Sequence, residues 1–448
     1  MSFLLHTAGI LAAIAVSACA ARFAADAFLA GLSRAERWAW ALWLGLALEA
    51  SVYLVFLAAG RAPGPAVMVG APAVIAAAAI LFLRRRPRAT EPAPGSPARA
   101  LLALSVVAVA VFALAALSEP MWSNDFLAIW GFKGKTIWFS RAVPDRIFHD
   151  PAVVWSHPEY PLFLPAVFAA LSASIGRWDD HALAALFPLL QAATAAALYG
   201  WTKRRFSTCA GALAAILAAA FFPLFRAFEV GMAEIPLALS LLLFSQAAVD
   251  FDETPSRSAG MRLAIASLLA AAVKREGTLF VVLAAGWMAL RALRRRNGRA
   301  VPVLALAAAP AVLHGLLLTA ARGSIPDRDY DWSFARPDRW PALAGQAGQV
   351  LSHLFRAGDA ATWIAFLALA FFAAAARPAG GAPALAILGP ALLLQSCVYV
   401  AVCSFSTFDP VWQASFVPRL ENALFPVMVL AVAPRLAFLF SSGRVTAE

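Results

Sequence analysis

The chain has 448 residues, of which 62% are hydrophobic and only 14% charged, with a formal net charge of +11. A water-soluble domain carries about a quarter charged residues, so a soluble enzyme, a disordered chain and a small disulfide-stapled domain are excluded. Long apolar runs recur from end to end, the pattern of a polytopic membrane protein. They lack the apolar/polar alternation of barrel strands, so the spans are helices.

In chain order the runs fall near 3–21, 38–59, 66–83, 101–117, 160–175, 182–200, 210–225, 231–249, 262–273, 277–290, 301–320, 361–376, 383–403 and 421–440. The first contains Val16-Ser17-Ala18-Cys19, similar to a lipoprotein cleavage box, but no basic segment precedes it, so it reads as a retained span. Basic clusters at Arg84–Arg88, Lys203–Arg205 and Arg294–Arg296 each follow a run directly and mark cytoplasmic ends. All three share a side if 160–175 dips in from outside without crossing. About thirteen spans then remain, with the N-terminus outside and the C-terminus inside. The basic excess is thus topology, and no nucleic acid is implied. Residues 1–83 read as a three-helix extension, 84–100 as a Pro/Arg-rich linker, 101–440 as the main module and 441–448 as a tail.

Three longer outer loops, 118–159, 321–360 and 404–420, hold most of the Trp, His and acidic residues outside the bilayer. The first carries Asp125, then Trp130, Lys133 and Lys135. A carboxylate there can accept a proton from a hydroxyl, and the aromatics can stack on sugar rings. The same residues also fit an interfacial aromatic belt. His157-Pro158-Glu159-Tyr160-Pro161-Leu162 is a Pro-braced entry into an apolar helix. Glu229 and Glu234 lie at a tight outer turn, where acids near a bilayer usually have a partner or a task.

Lys274-Arg275-Glu276-Gly277 interrupts a long apolar stretch. A single helix would hold three charges at mid-membrane, at several kcal/mol each. Two short helices turning at the surface avoid this, with Gly277 suited to the turn. Lys274 and Arg275 could bind a lipid phosphate, as could Arg419 at the mouth of the last span. Asp327, Asp329 and Asp331 begin like a calcium loop but lack its Gly and closing Glu. The four cysteines lie in apolar runs without zinc spacing.

Taken in order, these elements resemble a GT-C membrane glycosyltransferase, more closely the bacterial members of glycosyltransferase family 39, kin of protein O-mannosyltransferases and the lipid A aminoarabinose transferase. The resemblance spans about residues 100–440. It rests on Asp125 early in an outer loop, His157 to Leu162, Lys203 to Phe206, Glu234-Ile235-Pro236, Lys274 to Gly277, and Trp412 through Arg419. The family's acidic pair in the first loop is Asn124-Asp125 here.

The resemblance implies a GT-C-like all-α bundle with a periplasmic catalytic loop holding juxtamembrane helices, in a bacterial inner membrane. It implies a polyprenyl-phosphate sugar donor, a glycan, lipid or protein acceptor, and membrane lipid as surroundings. Asp125 would be the general base. Lys274, Arg275 and Arg419 would hold the donor phosphate. Glu234, Glu229, His157, Tyr160, Trp130 and Lys133 would contact substrate. No cofactor is required by the sequence, and a divalent metal is left open. A lipid-linked glycan transporter or flippase, and a polysaccharide ligase or polymerase, are the alternatives.

Overall fold

The computed structural model describes residues 2–26, 28–82, 94–225, 230–298, 300–322, 337–354, 383–404 and 422–438. The described residues form helices joined by turns, with no strand among them. In chain order these are α1 (Ser2–Ala24), α2 (Arg34–Ala58), α3 (Pro65–Phe82) and α4 (Ser96–Ala116). A π-turn at Phe126–Trp130 leads into α5 (Gly131–Ser140), followed by α6 (Arg146–His149), α7 (Phe163–Ile175) and α8 (Asp180–Leu183). Then come α9 (Leu186–Arg205), α10 (Thr208–Phe225), α11 (Glu234–Glu253), α12 (Arg257–Val273) and α13 (Arg275–Arg294). The last are α14 (Ala300–Arg322), α15 (Trp340–Leu354), α16 (Pro383–Ser404) and α17 (Phe425–Phe438).

Among the described residues, seven helical segments are long and apolar enough to cross a membrane: Phe3–Ala24, Arg34–Ala58, Ser96–Ala116, Asp180–Arg205, Glu234–Glu253, Arg275–Arg294 and Ala300–Ala320. Pro65–Ile80, Thr208–Ala220, Ala384–Tyr399 and Phe425–Pro434 are apolar but shorter than 18 residues. The run at 361–376 lies outside the described residues.

Helix ends follow local chemistry. Ser33 and Glu36 form a reciprocal capping box on α2: Glu36 N–H donates to Ser33 Oγ at 3.3 Å and Ser33 N–H to Glu36 Oε2 at 2.8 Å. Asp179 caps α8 by accepting from His181 and Ala182 N–H. Gly176 ends α7 at φ 75°, a left-handed position that favours glycine.

The helices gather at two ends. The loop end holds α5 to α8, the start of α1, the end of α4 and the α12–α13 turn. There His6 Nδ1 lies 2.7 Å from Asp179 Oδ2, and His181 Nε2 donates to the Leu117 carbonyl at 2.6 Å. The arginine end holds the start of α2 and the junctions after α9, α11 and α13. Both ends of the α7 segment are tied to α5. Lys133 bonds the Tyr160 carbonyl before α7, and Lys135 meets Asp180 at 2.7 Å beyond it. Gly134, between those lysines, faces Phe168 of α7 and the ring of Trp178. These contacts hold α5 along α7.

The helices of the 1–83 extension pack against the rest of the bundle. Side chains from Ile10 to Ala433 belong to one buried apolar cluster. Gly45 of α2 packs on the α1 backbone, where an added Cβ would stand 2.6 Å from Ala18 N. Gly200 of α9 sits equally close to Ser33. Trp43 Nε1 of α2 donates to Ser240 Oγ of α11 at 3.0 Å, across the interior. Within the α1–α2 seam Ser17 Oγ donates to the buried Glu49 carboxylate. Hydropathy marks each run as a helix but does not say which helices share a core.

Candidate functional site

The loop end assembles from four separated segments. After α4, Ser123 Oγ accepts the Phe126 N–H at 3.3 Å and opens the π-turn, a helical irregularity frequent at functional sites. Half-buried Asp125 stands at the start of this turn. Phe126 is buried against Gly231, whose φ is 95° and whose added Cβ would lie 2.7 Å from Phe126 Cβ. This close approach locks the Asp125 turn to the turn before α11. Gly231 is three residues from Glu234, so Asp125 and Glu234 belong to adjoining turns.

Glu234 and Glu276 both meet Lys274, at 3.1 and 3.0 Å. The Lys274 side chain is 2% exposed. Its backbone is extended, φ −158° and ψ 151°, and forms the whole junction between α12 and α13. The split predicted from the cost of mid-helix charges is therefore present. The role expected of Gly277 differs. It lies inside α13, and an added Cβ would be 2.0 Å from the Ala270 carbonyl oxygen. Its missing side chain lets the first turn of α13 close onto α12. Arg275 is exposed at the same junction. Lys274, expected to hold a phosphate, is instead enclosed between two carboxylates, so the exposed cation here is Arg275.

The His157–Tyr160 turn forms the adjacent wall. Trp130 and His157 both lie nearly parallel to the Tyr160 ring, at centroid distances of 5.4 and 4.8 Å. His157 has φ 53°, which costs a non-glycine residue on the order of 1–2 kcal/mol. Lys133 offsets this strain. Its side chain is fully buried, and Nζ donates to the His157 carbonyl at 2.5 Å and more weakly to that of Tyr160 at 3.4 Å. Burial pulls the Lys133 amine down to about 7, against the opposing charge of Glu159.

Glu159 is buried, which by itself would raise its pKa. The hydrogen bond and charge of His157, at 3.2 Å, and the charge of Arg275 outweigh this and hold it below the usual carboxylate range. Arg275 therefore reaches the His157 turn electrostatically from α13. Trp130 and Lys133, expected to touch substrate, are fully buried and build the wall instead. His157 and Tyr160 are only half-buried. Glu229 and Arg419 lie outside the described residues, as do residues 405–420 of the third loop and the tail 441–448.

The arginine end carries a second charge cluster. Arg204 of α9 bonds Glu36 of α2 at 2.8 Å and Asp250 of α11 at 3.2 Å. Arg205 meets Asp250 at 2.6 Å and also pairs with Glu253. Arg262 of α12 reaches Asp250 at 3.3 Å and the Phe28 carbonyl at 2.9 Å.

Compared with known proteins, the chain matches no protein-family model, no curated protein and no solved structure. The site therefore rests on its own geometry. Asp125, Glu234, Lys274, Arg275, His157 and Tyr160 occupy one end of the bundle. Among the described residues no three His, Cys, Asp or Glu side chains group to hold a metal ion. Sequence reasoning did not assign Glu276 or Glu159 a role, although both lie within motifs it singled out. Nor did it find the His6–Asp179 and His181–Leu117 ties, which join residues far apart in sequence and carry no motif.

Proposed function

We propose that the chain is an inner-membrane glycosyltransferase of the GT-C kind. It would transfer a sugar from a polyprenyl-phosphate donor to an acceptor hydroxyl at the outer face. The observation that carries this reading is the gathering at one end of Asp125, the Glu234–Lys274–Glu276 cluster, Arg275 and the His157–Tyr160 turn from four separated segments. A transporter would instead place charges or broken helices near mid-bilayer.

In the proposed reaction the acceptor oxygen attacks the anomeric carbon while the bond to the phosphate oxygen breaks. The Asp125 carboxylate takes the hydroxyl proton. The departing lipid phosphate keeps the electron pair, and Arg275, exposed at the start of α13, stabilises its charge. Lys274 holds Glu234 and Glu276 beside it and fixes the α12–α13 junction that presents Arg275. Glu234 and the half-buried His157 and Tyr160 shape the sugar-binding side. Arg419 and Glu229 complete the proposed ligand set from the sequence.

The test uses full-length protein in lipid with a panel of radiolabelled polyprenyl-phosphate sugars and membrane extract as acceptor source. Donor-selective transfer is expected, reduced on the order of a hundredfold or more in Asp125→Asn. Full transfer in that variant would remove Asp125 as base. Absence of turnover for every donor, with extract present, would sink the transferase reading and favour transport of the same lipids.

A further inference from the structure

Away from the loop end, a cavity of about 530 Å³ opens between α12 and α14 near the arginine end. It is large enough for part of a lipid chain, within the range of small-ligand sites. Gly260 helps make the space, since an added Cβ would meet only Val303 at 3.7 Å and Phe251 at 3.8 Å. The walls are otherwise apolar, and Met261 and Leu306 stay 42% and 73% exposed on the open side. An open apolar wall between two apolar helices faces acyl chains when the bundle is embedded in a bilayer.

The mouth has different chemistry. Arg257 and Asn297 border it and are exposed, and a smaller adjoining cavity is bordered by Arg295. Arg295 and Arg291 share one carboxylate, Asp252. Arg257 makes no ion pair among the described residues. The rim thus carries more cationic than anionic side chains, above an apolar slot. Basic pockets between membrane helices suit anionic headgroups.

We infer that this groove is a binding site for an anionic phospholipid. One acyl chain enters the slot beside Gly260, and the phosphodiester sits at Arg257 and Asn297. The site is distinct from the proposed donor site, which lies at the opposite end, and does not depend on it.

The experiment uses the full chain in phosphatidylcholine nanodiscs doped with phosphatidylglycerol carrying a diazirine in one acyl chain. Peptide mapping after illumination locates the label. Label is expected on the 257–264 and 300–307 segments, and more strongly than from a phosphatidylcholine bearing the same chain. Arg257→Ala should cut it about fivefold, the loss of one surface cation. Gly260→Phe should abolish it while label elsewhere on the protein persists, which reports that the variant is folded. Equal labelling by both lipids, or label unmoved by both substitutions, would overturn the proposal. Displacement by polyprenyl phosphate at levels where unlabelled phosphatidylglycerol has no effect would also overturn it, by giving the groove to the other lipid.

Discussion

At the arginine end, the three carboxylates Glu36, Asp250 and Glu253 are met by the three guanidinium groups of Arg204, Arg205 and Arg262. At the loop end, Glu234 and Glu276 both meet the ammonium of Lys274, while Arg275 stands exposed and Asp125 half-buried. The first arrangement is closed: each carboxylate already has its counter-charge, and the cluster staples α2, α9, α11 and α12 together. The second sets the exposed Arg275 and the half-buried Asp125 beside a buried pair. Charge serves cohesion at the arginine end, while the proposed transfer would draw on Arg275 and Asp125 at the loop end. Removing charge at the two ends should therefore read out differently.

The sharpest test of the closed end is Arg204→Met. It removes the guanidinium that meets Glu36, whose side chain is 1% exposed and keeps its bond from the Ser33 N–H; breaking a buried pair costs up to about 3–5 kcal/mol. Thermal unfolding in lipid should show the loss, while turnover per folded molecule stays near wild type. A collapse of turnover without loss of stability would erase the distinction between the ends.

Gly277→Ala is the next in size. Its Cβ would overlap the Ala270 carbonyl, so α12 and α13 must part, at a cost of about 1–3 kcal/mol. The shift should also move Arg275, so turnover should fall along with stability. An unchanged melting transition would mean that the α12–α13 junction is looser than the close approach indicates.

The smallest effect is a pH slope. The Lys133 amine is held near 7 in the fold, below its ordinary value. Between these values the unfolded chain binds the extra proton, so stability rises with pH from about 7 upward and is lost as pH falls toward it. Lys133→Met should flatten the slope of the apparent melting temperature between about pH 7 and 10, where this linkage acts. An unaltered slope would show that Lys133 keeps its proton in the folded wall.

Part of the candidate site was legible in the sequence because charge in an apolar run is costly wherever the chain goes. That argument alone separated α12 from α13 at Lys274, and the stiff, short run after Pro161 gave the α7 segment tied at both ends to α5. The same reasoning could not see that Lys274 would be enclosed by Glu234 and Glu276, which are 40 and 2 residues away. Nor could it tell that Lys133 and Trp130 point inward, because a loop of mixed aromatics and lysines has no periodicity to mark an inner face. Gly277 was read as a turn residue for its flexibility, whereas close packing on Ala270 explains it.

Composition and the spacing of apolar runs determined the all-helical membrane class, the placement of most helices and the segments where chemistry gathers. These follow from solvation, which each stretch of chain meets by itself. Only the tertiary structure decided that the first two helices belong to the common core, with Met68 of the third in a smaller cluster beside it. It also decided which carboxylate meets which cation, and which residues at the loop end stay exposed. Those outcomes depend on contacts between residues tens to hundreds of positions apart, such as Trp43 with Ser240 and Glu36 with Arg204. The shape of the packed bundle, and not the local pattern of hydropathy, brings them together.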